Sequence, residues 1–530
     1  MVLEGDLHSA DLGPSRRGGG DPRSSNGSLR VRFGARRMAV RKGLLASAAP
    51  MLAPAVSASA EALTYTRDRR RRRALIASII TGTTIEWYDF YLYFTLFAVM
   101  QPVFFPSGDP LVGWLTALAA NATGFVIRPV GAVFFGRLGD LAGRKSAFLV
   151  TLLLMGGATT VIGILPPYAK IGVAAPILLV AMRLLQGFAL GGEYGGAAIY
   201  VAENVPDGER GYYTSFVQVT ASLGLLISMA TILGVQQYFG AAEFARWGWR
   251  LPFVFSLFLL AIAGWVRTNL GESPLWERIR RDHRLSREPL ADAAGNWKKL
   301  VLALFGATAG QGVIWYTAQF YSSLFMTKTL GLPRETAWTI LSVALICGIP
   351  LFVVFGALSD VIGRKRLMVT GNLLAAISFV PIYILMSKAA APFNPLLMTT
   401  LVFAQVVLVT MTYGPIAAFL VEWFPARSRY ISLSIPYHLG NGIFGGLIPV
   451  LATKLAFGAN NRYLGLVWPV GIALMTAIVG ALFLPETGRT RIWAEVRRGS
   501  GSGTGPHPVR EQTGPEMRPP SGVHPVPPGA

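Results

Sequence analysis

The chain has 530 residues, of which 52% are hydrophobic and only 14% charged, with a formal net charge of +21 and a mean hydropathy of +0.47. Too few charges are present to clothe a soluble globule of this length, so most of its surface must face lipid. The Lys and Arg fall in tails and in short turns between apolar segments, the positive-inside pattern of a membrane protein, which excludes a nucleic-acid partner.

Residues 1–73 are rich in Arg, Gly, Ser and Ala and end in five consecutive arginines, the composition of a disordered basic tail. The stretch from Met38 imitates a signal peptide, but cleavage behind it would strand those arginines on the outer face, directly ahead of a span. A start at Met38 or Met51 explains the stretch as well. Apolar runs of bilayer-crossing length then follow near 74–104, 112–136, 146–166, 174–202, 211–238 and 250–270. Six more lie near 300–326, 337–358, 367–387, 396–422, 430–457 and 464–485. The expected protein is an all-α integral membrane fold with twelve transmembrane helices in two six-helix, pseudo-symmetric halves, 74–270 and 300–485. Between them, 271–299, carrying Arg278, Arg280, Arg281, Arg284 and Arg287, reads as a basic, helical linker facing lipid headgroups or, equally, as a merely solvated charge run. Residues 486–530 read as a second disordered tail. Turns after even-numbered spans hold about sixteen Lys and Arg against about seven after odd-numbered ones, which puts even-side turns and both termini in the cytoplasm. The lone cysteine, Cys347, reads as a small packing residue, and nothing suggests a metal site or a cofactor.

The two halves are copies. GRLGDLAGRK returns as GALSDVIGRK, so Gly136, Asp140, Gly143, Arg144 and Lys145 answer to Gly356, Asp360, Gly363, Arg364 and Lys365, 220 positions on. Glu203 and Arg210 in ENVPDGER likewise answer to Glu422 and Arg429 in EWFPARSR. The glycines let each turn approach a neighbouring helix, the acid caps or pairs across the gap, and the basic residues hold the turn inside, so both motifs read as gating latches. Halves of this kind place a substrate between them and rock around it.

Ionisable residues inside apolar spans are costly and therefore functional candidates. Arg128 and Glu193 fall at similar depth and suggest a buried ion pair. Arg183 then becomes the candidate for a substrate anion, since its fork binds a carboxylate at two points; the competing reading pairs it with Asp89 or Glu86. A carboxylate in a cavity that opens alternately to either side can load and release a proton, a role that suits Asp89 and Glu86. His438 titrates in the right range, but a lone histidine on an apolar face is more often a packing residue. Trp87, Tyr88 and Tyr91 of the first span find an echo in Trp315, Tyr316 and Gln319 of the seventh, and with Asn441 they could line a central cavity from both halves; ordinary helix packing is the competing reading.

The repeated turn resembles the cytoplasmic motif of the major facilitator superfamily. TTIEWYDFYLY, RPVGAVFFGRLGDLAGRK and RLLQGFALGGEYGGAAIYVAE together resemble the metabolite:proton symporter family, over about residues 74–487. The resemblance implies proton-coupled uptake of an organic acid or betaine across a bacterial inner membrane, with the Asp140 turn stabilising one conformation against the eleventh span. The expected partners are a small-molecule substrate, a proton and lipid, with the protein a monomer that needs no cofactor; no metal-spaced His cluster and no nucleophile with a base point to an enzyme. Alternatives are an efflux antiporter of the same fold and a non-transporting receptor on a transporter scaffold.

Overall fold

The computed structural model describes residues 69–492, apart from 109, 269–270, 284 and 459–460. The signal-like stretch after Met38, residues 1–68 and residues 493–530 lie outside the described residues. In hydrocarbon every backbone N–H and C=O needs a partner within its own segment, so each long apolar run closes into a helix. Eleven helices among the described residues are long and apolar enough to cross a membrane: α2 (Leu115–Ala142), α3 (Arg144–Ile164), α4 (Ala174–Glu203), α5 (Arg210–Arg246), α6 (Gly248–Thr268), α7 (Trp297–Thr329), α8 (Arg334–Ile362), α9 (Arg364–Ala389), α10 (Pro395–Trp423), α11 (Ala426–Ala456) and α12 (Leu464–Phe483). Ahead of them α1 (Arg69–Phe104) spans 36 residues and carries Glu86 and Asp89 near its middle, giving twelve spans. Large apolar side chains such as Ile177, Phe258, Ile377 and Leu482 stand exposed on the outer faces, the surface that lipid covers.

The halves meet through equivalent pairs of helices, α2 against α11 and α5 against α8. Since α8 repeats α2 and α11 repeats α5, this is the seam of a pseudo-twofold. Helix geometry departs from regular at several places. α2 is interrupted at Ile127, one residue ahead of Arg128 and Pro129, because proline removes an N–H and crowds the preceding turn. α7 contains π-helical turns at Leu304–Thr308, Thr317–Tyr321 and Phe325–Thr329, and α11 one at Leu439–Gly445. Such turns admit an extra residue and collect at functional sites.

Several expectations need correction. α1 begins at Arg69, inside the stretch read as tail. The linker forms two short helices, Pro274–Arg281 and Pro289–Gly295, and the first turns Leu275, Trp276 and Ile279 into the protein instead of into lipid. The segment after α12 is held in place as far as Ile492, which is fully buried. Cys347 is exposed on the outside of α8 and is not a packing residue.

Candidate transport site and its gate

At mid-height the seam is aromatic, and one guanidinium lies in it. The kink before Pro129 brings Arg128, fully buried, over the rings of Phe90 and Phe125 at 4.4 Å each and Trp87 at 5.7 Å. Its Nη1 donates to the Tyr316 hydroxyl of the opposite half at 3.1 Å, while Nε and Nη2 have no partner. Tyr91 stacks between Trp87 (5.2 Å) and Trp315 (5.8 Å), so the first and seventh spans do bring their aromatics together. Close by, the Tyr413 and Tyr437 hydroxyls are 2.6 Å apart and Tyr437 stacks on Tyr194 at 3.4 Å. Tyr91 Oη, Trp315 Nε1, both amide atoms of Gln319 and both ring nitrogens of His438 are buried without a partner. A buried polar group left unpaired costs about 1–3 kcal/mol, which makes these groups candidate contacts for a polar ligand. Asn441 exchanges two hydrogen bonds with Gln311, at 2.9 and 3.2 Å. Tyr88 is not in the seam: its hydroxyl donates to the Pro252 carbonyl of α6.

The predicted Arg128–Glu193 pair does not form. Glu193 Oε1 instead lies 2.9 Å from Arg267 Nη2 and accepts from Thr83 at 2.6 Å, and Glu86 Oε1 lies 2.6 Å from Arg267 Nη1. Arg267 carries no signal in the sequence because it stands near the end of the sixth apolar run; its side chain reaches back into the half. Arg183 is not paired with Asp89 or Glu86. Its Nη atoms are held by Gln186 (2.7 Å), Asn121 (3.0 Å) and the Phe90 carbonyl (3.2 Å), and the Phe90 ring, 4.5 Å from Arg183 and 4.4 Å from Arg128, separates the two guanidinium groups. Asp89 lies against Ser256 of α6 with Oδ1 unpartnered and, among the described residues, no basic side chain within ion-pair distance.

One face of the molecule is closed by both latches in the same way. Asp140 pairs with Arg144 at 3.1 Å and accepts from the backbone N–H of Tyr430 and Ile431, at the start of the eleventh span (3.3 and 3.2 Å). Asp360 pairs with Arg364 at 2.6 Å and accepts from Gly211 and Tyr212, at the start of the fifth span (2.9 and 2.8 Å). Each aspartate thus caps the positive end of a helix belonging to the other half. Glu203 pairs across the seam with Arg429 at 3.1 Å and Arg210 with Glu422 at 3.3 Å, while Glu422 also reaches Arg364 at 3.2 Å. Gly143 and Gly363 adopt φ of 101° and 104°, where a side chain is strained.

Two further acids hold these turns. Glu272 accepts from the N–H of Arg144 (3.0 Å) and Lys145 (3.2 Å), and Glu486 accepts from those of Arg364 (2.7 Å) and Lys365 (3.1 Å). The signal was there to find: each glutamate precedes Ser or Thr just beyond the last span of its half, 214 positions apart. Thr487 and the Thr490 carbonyl complete the second set by bonding Glu422 and Arg210, both at 2.8 Å.

In sequence and in fold the chain is similar to known proteins. The profile described as Sugar (and other) transporter matches residues 74–304 and 296–492. The Inner membrane metabolite transport protein YhjE of Escherichia coli K12 is 37% identical over 415 residues, covering 76% of this chain and 92% of that protein. The shikimate transporter of the same strain is 32% identical, covering 78% and 94%. The Glycine betaine/proline/ectoine/pipecolic acid transporter OusA of Dickeya dadantii is 33% identical, covering 80% and 85%. In fold the chain is similar to the proton:xylose symporter XylE of the major facilitator superfamily bound to 6-bromo-6-deoxy-D-glucose, with a TM-score of 0.63 at 17% identity over 80% of this chain and 98% of that one.

Proposed function

The chain belongs to the Sugar (and other) transporter family and is a multi-pass membrane transporter of the major facilitator fold; on that premise we propose that it is a proton-coupled symporter importing a small organic acid or a related zwitterion. We place it in a bacterial inner membrane with the latched face and both termini in the cytoplasm, a placement that the bias of basic residues toward that face supports. The observation that carries the reading is Arg128, a guanidinium at the seam of the two halves with two nitrogens unpartnered and only aromatic and hydroxyl neighbours.

A carboxylate supplies the missing acceptors in two-point geometry, and the flat faces of Trp87, Tyr91 and Trp315 supply the walls. Arg183, the candidate from sequence, already has its Nη atoms occupied and positions Phe90 and Asn121 instead. The relatives named for shikimate and for glycine betaine and proline handle compounds that each carry a carboxylate. With the latches closed the site is shut off from the cytoplasm. Loading of substrate and proton rocks the halves about Arg128, breaks the Asp140 and Asp360 caps and opens that face.

Labelled carboxylates offered to proteoliposomes under an inward proton gradient test this. Accumulation of at least one carboxylate above its outside concentration, collapsing on addition of a protonophore, is the expected result; accumulation indifferent to the protonophore would refute the coupling.

A further inference from the structure

Two carboxyl groups and one guanidinium lie together in the interior of the first half, and their charges do not balance. Glu86 of α1, Glu193 of α4 and Arg267 of α6 are all at most 4% exposed. The ion pairs use one oxygen of each glutamate, leaving both Oε2 atoms buried without a donor. Both carboxyl groups sit on the one guanidinium, Glu86 on its Nη1 at 2.6 Å and Glu193 on its Nη2 at 2.9 Å. Two acceptors that face each other away from water repel unless a proton lies between them.

We propose that Glu86 and Glu193 share a single proton and that this pair is the coupling-proton site of the transporter. The inference rests on the proton-coupled reading above and deepens it. In balance, one O–H bond links the two carboxyls when the site is loaded, and Arg267 then neutralises the remaining negative charge. When the proton leaves to water, that bond breaks and the cluster keeps one uncompensated negative charge. The cluster's neighbours include the Thr83 hydroxyl of α1, which donates to Glu193, the Phe148 carbonyl and ring of α3, which meet Arg267, and Tyr430 of α11.

Tyr430 connects this site to the gate. Its hydroxyl donates at 2.5 Å to the carbonyl of Gly192, the residue before Glu193, and its backbone N–H is one of the two that Asp140 caps. A charge appearing or vanishing at Glu193 therefore acts on the same residue that latches the cytoplasmic face. Arg128 and its unpartnered neighbours belong to a separate cluster, so proton and substrate occupy different sites that meet at α11.

Glu193→Gln and Glu86→Gln, reconstituted beside wild type, test the assignment with two readouts. Accumulation driven by a proton gradient should fall at least tenfold in each variant, while counterflow exchange of labelled for unlabelled substrate, which moves no net proton, should persist. Glu193→Asp keeps the carboxyl and should recover part of the accumulation, which separates loss of the proton from loss of the fold. Wild-type accumulation that ignores a protonophore would sink the function itself. Coupled wild type with normal accumulation in Glu193→Gln, or loss of accumulation and exchange together in all three variants, would overturn this assignment alone.

Discussion

Glu203 ends α4 in the first half, and its carboxylate lies 3.1 Å from the guanidinium of Arg429, which opens the eleventh span in the second. The sequence repeats a glutamate and an arginine seven residues apart in each half, but the structure pairs each acid with the base of the opposite copy, Glu422 with Arg210 as well as Glu203 with Arg429. A duplicated segment has become two ion pairs that cross the seam, and both must break for the latched face to open.

Removing one member of such a pair strands the other. Glu203→Gln should favour the open face by about 3–5 kcal/mol, the usual cost of a lone buried charge. The doubly swapped protein, Glu203→Arg with Arg429→Glu, should regain exchange activity relative to either single reversal. Initial rates of exchange in proteoliposomes measure this, and a double swap no better than the worse single variant would deny the pairing.

The latch aspartates should not be equivalent. The Asp140 side chain is 1% exposed and that of Asp360 10%, and a bond lost from the drier site is harder for water to replace. Asp140→Asn should lower Tm more than Asp360→Asn, each losing about 0.5–2 kcal/mol of helix capping. Thermal unfolding of the purified variants decides it.

The two buried arginines of the first half should separate binding from stability. Arg128→Lys retains charge but loses the two-point fork, so substrate binding should weaken by about 30-fold or more, roughly 2 kcal/mol, with little change in Tm. Arg183→Lys leaves Asn121, Gln186 and the Phe90 carbonyl with fewer donors, so it should lower Tm first. Substrate titration beside thermal unfolding reads both, and equal effects of the two changes would contradict the division of labour.

Glu272→Ala and Glu486→Ala should reduce Tm to similar extents, each by the loss of a cap worth about 1 kcal/mol. Truncation after Pro485 should act more strongly than Glu486→Ala, because it also removes the Thr487 and Thr490 bonds to Glu422 and Arg210. Unfolding curves for the three variants give the order.

Much of this was legible in the sequence because it is local or repeated. Span lengths follow from bilayer thickness, and the period of 220 residues announces two halves. The latch turns show themselves by glycines that need a positive φ. The interior charges were harder. Arg128 and Glu193 lie at the same depth, but depth does not say which way a side chain turns, and that is set by the kink at Pro129 and by the neighbours of α4. Arg267 was missed because an arginine near the end of a span ordinarily reaches for water. Tyr413 and Tyr437 were missed because a tyrosine in an apolar run carries no signal until helices from both halves meet. Glu486 was read as tail, since a segment without hydrophobic period looks unstructured even when its polar atoms close a gate.

Alternation of the two halves about Arg128 opens and closes the latched face, so the gap across that face reports it. Spin labels at Arg137, exposed beside the first latch, and at Arg427, 59% exposed at the start of the eleventh span, measure the gap between the halves by double electron–electron resonance in liposomes. Two distance populations are expected, with the longer one gaining weight when a transported carboxylate is added at acid pH and losing it in Arg128→Ala. A single distance, unmoved by substrate, by protons or by the loss of Arg128, would contradict it.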